Sequence, residues 1–95
     1  MTFSERVWAI TKKIPKGRVA TYSDVADRLG TRAFRAVGNA LHRNPYAPVV
    51  PCHRVVGSNG SLTGYAGGLA KKTKMLEAEG VAVKNGRVDL SKFRW

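Results

Sequence analysis

The chain has 95 residues, one cysteine and 43% hydrophobic residues, enough for a single small core and too few thiols for an intramolecular disulfide. Its 17 Lys and Arg against 6 Asp and Glu leave a net charge of +11, which points to a polyanion, DNA or RNA alike, and a thermophilic or ribosome-associated composition is the other reading of that excess. No apolar run approaches the roughly 18 residues of a membrane span and no secretory leader is visible, so a cytoplasmic, reducing location is expected.

The first predicted element is a helix over Thr2 to Ile14. Thr2 and Glu5 have capping-box spacing, and Val7, Ile10 and Ile14 recur at helical spacing with Phe3 extending the stripe. Pro15-Lys16-Gly17 ends it. Arg18-Val19-Ala20-Thr21 reads as a short strand. Thr21 or Ser23 then caps a second helix through Leu29, with Val25, Ala26 and Leu29 facing inward. Gly30 stops that helix, and a third begins near Thr31 or Arg32 and runs to about Arg43. Two short helices about a glycine turn, the second carrying Arg32, Arg35, His42 and Arg43, match a helix-turn-helix. An ordinary helical hairpin has the same pattern.

Pro45 to Pro51 is extended or turning, because its prolines oppose helix. Val55-Val56 and Leu62 flank Gly57-Ser58-Asn59-Gly60, a turn cluster suited to a hairpin-like wing. A fourth helix follows Gly67-Gly68, from Leu69 to about Glu79, with Gly80 as its C-cap. Val81 to Leu90 reads as a terminal hairpin about an Asn85-Gly86 turn. With no repeat and no dividing linker, a single domain over residues 1–95 is expected. Its class is mainly α (α+β), a winged helix-turn-helix with short β-hairpin elements.

The chemistry concentrates at Pro51-Cys52-His53-Arg54-Val55. A thiol reacts as its thiolate, which neighbouring cations or proton acceptors favour. Adjacent side chains of an extended segment point to opposite faces, however, and free cysteines are among the most buried residue types, so an inert thiol stays open. Read singly, the other candidates are open too. Glu79 is either a solvated carboxylate or a costly one, since it opposes the helix dipole. Asn44 before Pro45 has the place of a helix-terminating residue, Tyr22 that of a packing residue, and Arg35 that of a phosphate contact. Ala36, Gly38 and Ala40 allow either close core packing or close approach to a groove.

Four segments in order, RAVGNALHRNP, PCHRVV, TGYAGGLAKK and LEAEG, together resemble the DNA-binding, alkyl-accepting domain of the O6-alkylguanine-DNA alkyltransferases. The resemblance runs from about Phe3 to Gly80. It implies a displacement at carbon, in which the Cys52 thiolate takes the alkyl group from O6 of guanine and keeps it, once per molecule, with no cofactor and no metal. It also implies that His53 takes the Cys52 proton through a water, that Glu79 orients the imidazole and that Asn44 supports the active-site turn. Tyr22 would donate its hydroxyl to the departing base, and Val55, Tyr65, Ala66, Gly67 and Gly68 would line the pocket. The lesion must leave the base stack, and Arg35 would fill the gap. DNA contacts are implied at Arg35, Tyr22, Thr21, Ala36, Arg32, Gly38, Asn39 and Arg43. The implied partner is double-stranded DNA containing O6-alkylguanine, bound by a monomer with no membrane association.

The chain departs from the family pattern in two respects. It opens directly on this domain, whereas many members carry a separate preceding domain, some with structural zinc. Ala66 stands where some relatives have serine, which puts substrate range in question. Short relatives include alkyltransferase-like proteins, which bind the lesion without repairing it, recruit other repair machinery and normally lack the cysteine. Val88 to Trp95 is similar to their C-terminal ends. A suicide repair enzyme and a lesion sensor with a repair-pathway partner are therefore both implied, and Cys52 favours the enzyme. A generic winged-helix DNA binder would explain the charge but not PCHRV.

Overall fold

The computed structural model describes residues 1–46, 49–63 and 68–95. Helix α1 (Phe3–Thr11) opens on the predicted capping box: the Thr2 hydroxyl accepts the Glu5 N–H at 3.1 Å, and the Glu5 carboxylate accepts the Thr2 N–H at 2.9 Å. The helix ends before its apolar stripe does. Ile14 is buried from the turn that follows, and the buried Thr11 returns its hydroxyl to the Val7 carbonyl at 2.8 Å.

Strand β1 (Ala20–Thr21) runs directly into α2 (Tyr22–Arg28), and Thr21 rather than Ser23 is the cap, in a reciprocal pair with Asp24. The helix stops in a Schellman arrangement: the Gly30 N–H bonds the Asp27 carbonyl and the Thr31 N–H bonds the Ala26 carbonyl, both at 3.0 Å. That turn consumes Thr31, whose hydroxyl also accepts the Ala33 N–H at 3.2 Å. Helix α3 (Phe34–His42) therefore starts later than the sequence suggests. Helix α1 packs across both, with the Trp8 indole N–H donating to the Ala40 carbonyl at 2.9 Å.

Strand β2 (Val55–Val56) does not form a hairpin with Leu62. It pairs in parallel with β1, Ala20 opposite Val55 and Thr21 opposite Val56, over a crossover containing α2 and α3. Both valines are fully buried, as a strand covered on two faces requires. The turn at 57–60 does form, closed by a 2.8 Å bond from the Gly57 N–H to the Ser61 carbonyl. Ser61 then bridges to Arg87, and the Leu62 N–H bonds the Gly86 carbonyl at 2.9 Å, so the wing leans on the C-terminal hairpin.

Helix α4 (Leu69–Ala78) ends on Glu79 and Gly80, whose φ of +88° is left-handed backbone that only glycine adopts freely. The Val81 N–H returns to the Leu76 carbonyl at 3.0 Å, and both side chains are buried together. Strands β3 (Val83–Lys84) and β4 (Arg87–Val88) pair antiparallel about the predicted Asn85-Gly86 turn, whose φ values of 52° and 71° are the two positive ones of a type I′ turn. The hairpin stops at Val88 rather than Leu90. Asp89 accepts the Ser91 N–H and caps a short α5 (Leu90–Phe93) that the sequence reading missed. The tail then flanks β1: the Val19 N–H bonds the Phe93 carbonyl at 2.9 Å, and the Trp95 N–H bonds the Val19 carbonyl at 2.7 Å.

The result is mainly helical with two small sheets. Successive side chains of the β1–β2 pair alternate between two cores. Ala20 and Val55 join Val7, Val25, Val37 and Leu41 under the three N-terminal helices, while Val19 and Val56 join Leu62, Leu76, Val81 and Val88 under α4 and the hairpin. Among the described residues no helix is long and apolar enough to cross a membrane.

Candidate active site

The central strand pair sets the site. Tyr22 follows the end of β1, and the 3-10 turn Cys52–Arg54 leads into β2. Pro51 has φ −82° and ψ 68°, an inverse γ-turn in which the Cys52 N–H bonds the Val50 carbonyl at 2.9 Å. The same carbonyl accepts the Asn44 side-chain N–H at 2.9 Å, while Asn44 Oδ1 accepts the Tyr46 N–H at 2.9 Å. One amide thus ties the end of α3 to the residue presenting Cys52. In a 3-10 turn, neighbours lie about a third of a turn apart instead of on opposite faces. The helical turn removes the objection that an extended Cys-His pair would raise.

His53 is 2% exposed and its Nε2 lies 3.0 Å from Glu79 Oε2. The same carboxylate is held by Arg54, Nε to Oε1 at 2.9 Å and Nη2 to Oε2 at 2.6 Å, while Arg54 Nη1 donates to the Ile14 carbonyl at 2.8 Å. Burial pushes the Glu79 carboxyl upward, but the hydrogen bonds from Arg54 and His53 outweigh it and hold the group below its ordinary value. Burial pulls His53 the other way, below the usual imidazole range, helped by the nearby Arg54 and Lys72 charges and opposed by Glu79. An ionised Glu79 only accepts, so a neutral His53 carries its proton on Nε2 and keeps a lone pair on Nδ1. That Nδ1 is buried and has no hydrogen-bond partner among the described residues. The half-buried Cys52 thiol is free. Cys52 and the neutral His53 thus share one 3-10 turn, and the ionised Glu79 meets that turn from the end of α4.

Residues 2–81 match the family of the 6-O-methylguanine DNA methyltransferase, DNA binding domain. The chain belongs to that family. It is 52% identical over 79 residues to a methylated-DNA–protein-cysteine methyltransferase of Methanosarcina acetivorans, covering 82% of this chain and 51% of that protein. The Mycobacterium bovis protein of the same name is 49% identical over 78 residues, 81% of this chain and 47% of its own length. The chain thus spans about half the length of these curated relatives. Among solved structures, Mycobacterium tuberculosis OGT in complex with DNA superposes at a TM-score of 0.81 with 46% identity, over 84% of this chain and 49% of that one. S. pombe Atl1 in complex with damaged DNA containing O6-carboxymethylguanine superposes at 0.88 with 29% identity, over 98% of this chain and 94% of that one.

The other residues that the family resemblance implied fall into four groups. Tyr22 is half-buried, its ring against Gly38 and its hydroxyl donating to the Thr63 carbonyl at 3.2 Å. Arg32, Arg35, Asn39 and Arg43 are exposed on or beside α3, with Ala36 and Gly38 half-buried on the same helix. Two residues have buried side chains: Thr21 is 1% exposed with its hydroxyl committed to the α2 cap, and Val55 is wholly in the core, so the part implied for Val55 falls to its backbone. Neither side chain has a face for a ligand. Tyr65, Ala66 and Gly67 lie outside the described residues, while Gly68 is exposed just before α4. Among the described residues no cluster of His, Cys, Asp and Glu is suited to a metal ion.

The sequence offers Arg54 only as a cation beside the thiol, and it does not single out Lys72. Arg54 supplies the guanidinium that holds Glu79 ionised. Lys72 is 1% exposed and donates to the Val55 carbonyl at 2.7 Å and the Thr63 carbonyl at 2.9 Å. Burial lowers it to about 8, and the nearby Cys52 acts to raise it. The signal was present: Lys72, Leu76 and Glu79 share one stripe of α4 at helical spacing. A lysine on a buried stripe requires a partner.

Proposed function

We propose that this chain repairs DNA by moving the alkyl group of O6-alkylguanine onto Cys52. The His53 arrangement carries the reading: a buried neutral imidazole, hydrogen-bonded to an ionised Glu79 and next to Cys52 in the chain, would take the thiol proton through a water. The sulfur then attacks the alkyl carbon, the carbon–O6 bond breaks, and its electron pair stays on the guanine. A Tyr22 hydroxyl turned from Thr63 toward O6 would stabilise that charge. Cys52 ends as a thioether with no resolving thiol in the chain, so each molecule reacts once. A reducing, cytoplasmic setting suits a function that needs the free thiol.

The basic face of α3 supports double-stranded DNA as the partner, with Arg35 replacing the extruded base in the stack. The deciding experiment is intact-protein mass after incubation with excess duplex containing one O6-methylguanine. One added methyl on Cys52, matched by loss of the lesion, is the expected result; full transfer by Cys52→Ala would refute it. The near whole-length correspondence with S. pombe Atl1 favours a second reading, lesion recognition without transfer. Tight, lesion-selective binding with unchanged mass would decide for that one.

A further inference from the structure

The face of α3 that carries Arg35 is narrow, since Ala36 and Gly38 put almost no bulk beside it. Phe34 breaks that economy. It is the first residue of α3, adjacent to Arg35, and 51% of it is exposed. Another exposed aromatic, Tyr46, packs edge-on against Trp8, with ring centroids 5.6 Å apart. Among the described residues Phe34 has no ring contact of that kind. Instead it borders a shallow cleft with Ser23, Ala26, Asp27 and Arg32.

The surroundings specify what covers this ring. Exposed Arg32 and Arg35 lie on either side of it in sequence, on a chain of net charge +11. An apolar ring between cations suits a partner that is anionic outside and apolar within, which is the description of a stacked duplex. Helix geometry leaves few alternatives once Arg35 is in the duplex. Its neighbour is offset by only about 1.5 Å along the axis and about 100° around it. A ring of that size at that offset also meets the duplex, and entering the stack is the placement that lets the helix sit as deep as its small residues allow.

We propose that Phe34 is an apolar wedge that enters the base stack at the step next to the one filled by Arg35. The inference rests on the DNA reading above. Two adjacent side chains, one cationic and one aromatic, then hold the duplex open while the lesion is out. Apolar wedges of this kind unstack a step and kink the duplex, and the ring regains contact by stacking on a base.

The test uses duplexes carrying one O6-methylguanine with 2-aminopurine placed at each neighbouring step in turn, bound by the full chain. Fluorescence reports loss of base stacking at that step, and titration gives affinity. The wild type is expected to brighten one neighbouring step. Phe34→Ala should lose that signal and about tenfold or more in affinity, with an unchanged melting temperature. Phe34→Leu, which keeps apolar bulk, should retain most of both. Wild-type signal and affinity in Phe34→Ala would overturn the wedge alone. Loss confined to duplexes long enough for two molecules would place Phe34 against a second copy and equally overturn it. A wild type that does not select the lesion duplex would remove the DNA reading on which the wedge stands.

Discussion

Lys72 places a buried ammonium within Coulombic reach of Cys52 and donates to the carbonyl of Val55, three residues further along the active-site segment. A depressed value of about 8 still leaves it charged at neutral pH, where ammonium and thiolate favour one another. Lys72→Met should therefore slow alkylation of Cys52 by a small electrophile at pH 7 roughly tenfold, a barrier change of about 1.4 kcal/mol. The same substitution tests the sign of the linkage. Between about 8 and the ordinary lysine value, the unfolded chain holds a proton that the folded chain has released. Wild-type stability should rise across that window relative to Lys72→Met. Parallel curves from urea melts would show that Lys72 is not buried as a cation.

With His53 as the base of the proposed transfer, the acidic limb of reactivity belongs to it. Its value is depressed, so it stays neutral to a lower pH than an ordinary imidazole and protonates only in more acid solution. Transfer should hold steady on moving from pH 7.5 toward about 6.5 and fall below that. Glu79→Gln removes the carboxylate that raises His53, so the inflection should move to still lower pH while the plateau rate falls by about tenfold or more. An inflection moving upward would mean that Glu79 does not face a neutral ring.

Asn44 makes a prediction about chemistry rather than size. Its N–H donates to the Val50 carbonyl and its oxygen accepts from Tyr46. Asn44→Ala loses both bonds, at about 1–3 kcal/mol in thermal denaturation. Asn44→Asp keeps the acceptor but sets a carboxylate against the Val50 carbonyl, so it should be no better than alanine, and Cys52 labelling should slow in both. Near-native behaviour of the aspartate would mean that the donor to Val50 is dispensable.

Local chemistry was legible where one residue decides it. Thr2 with Glu5 and Asn85 with Gly86 fixed a helix start and the place of a turn from neighbours alone. The partner of Val55-Val56 was not legible, because a parallel pair leaves no turn signature and its crossover holds two helices. PCHRV and Glu79 marked residues that the fold does bring together, His53 and Arg54 on the Glu79 carboxylate. What the spacing could not show was that Cys52–Arg54 coils into a 3-10 turn, which turns Arg54 onto Glu79 and lets Lys72 reach in from α4. Those relationships cross between elements, and only packing creates them.

Asp24 serves two partners, which separates its substitution from that of Arg94. It accepts the Thr21 N–H in the α2 capping box and receives Arg94 from the C-terminal tail through two hydrogen bonds. Arg94 is half exposed, so Arg94→Ala should cost no more than about 1 kcal/mol in urea melts at pH 7. Asp24→Ala also loses the carboxylate half of the box, while the Thr21 hydroxyl still accepts the N–H of residue 24, and should cost up to about 1 kcal/mol more. Burial raises Asp24, but the bonds from Arg94 and Thr21 hold it below its ordinary value. Its contribution is therefore present above the unfolded carboxyl value and lost as pH falls through the lower, folded one. The gap between the two variants should close in that acid range and reopen at neutral pH. Equal costs at pH 7 would mean that the tail, and not the cap, is what Asp24 secures.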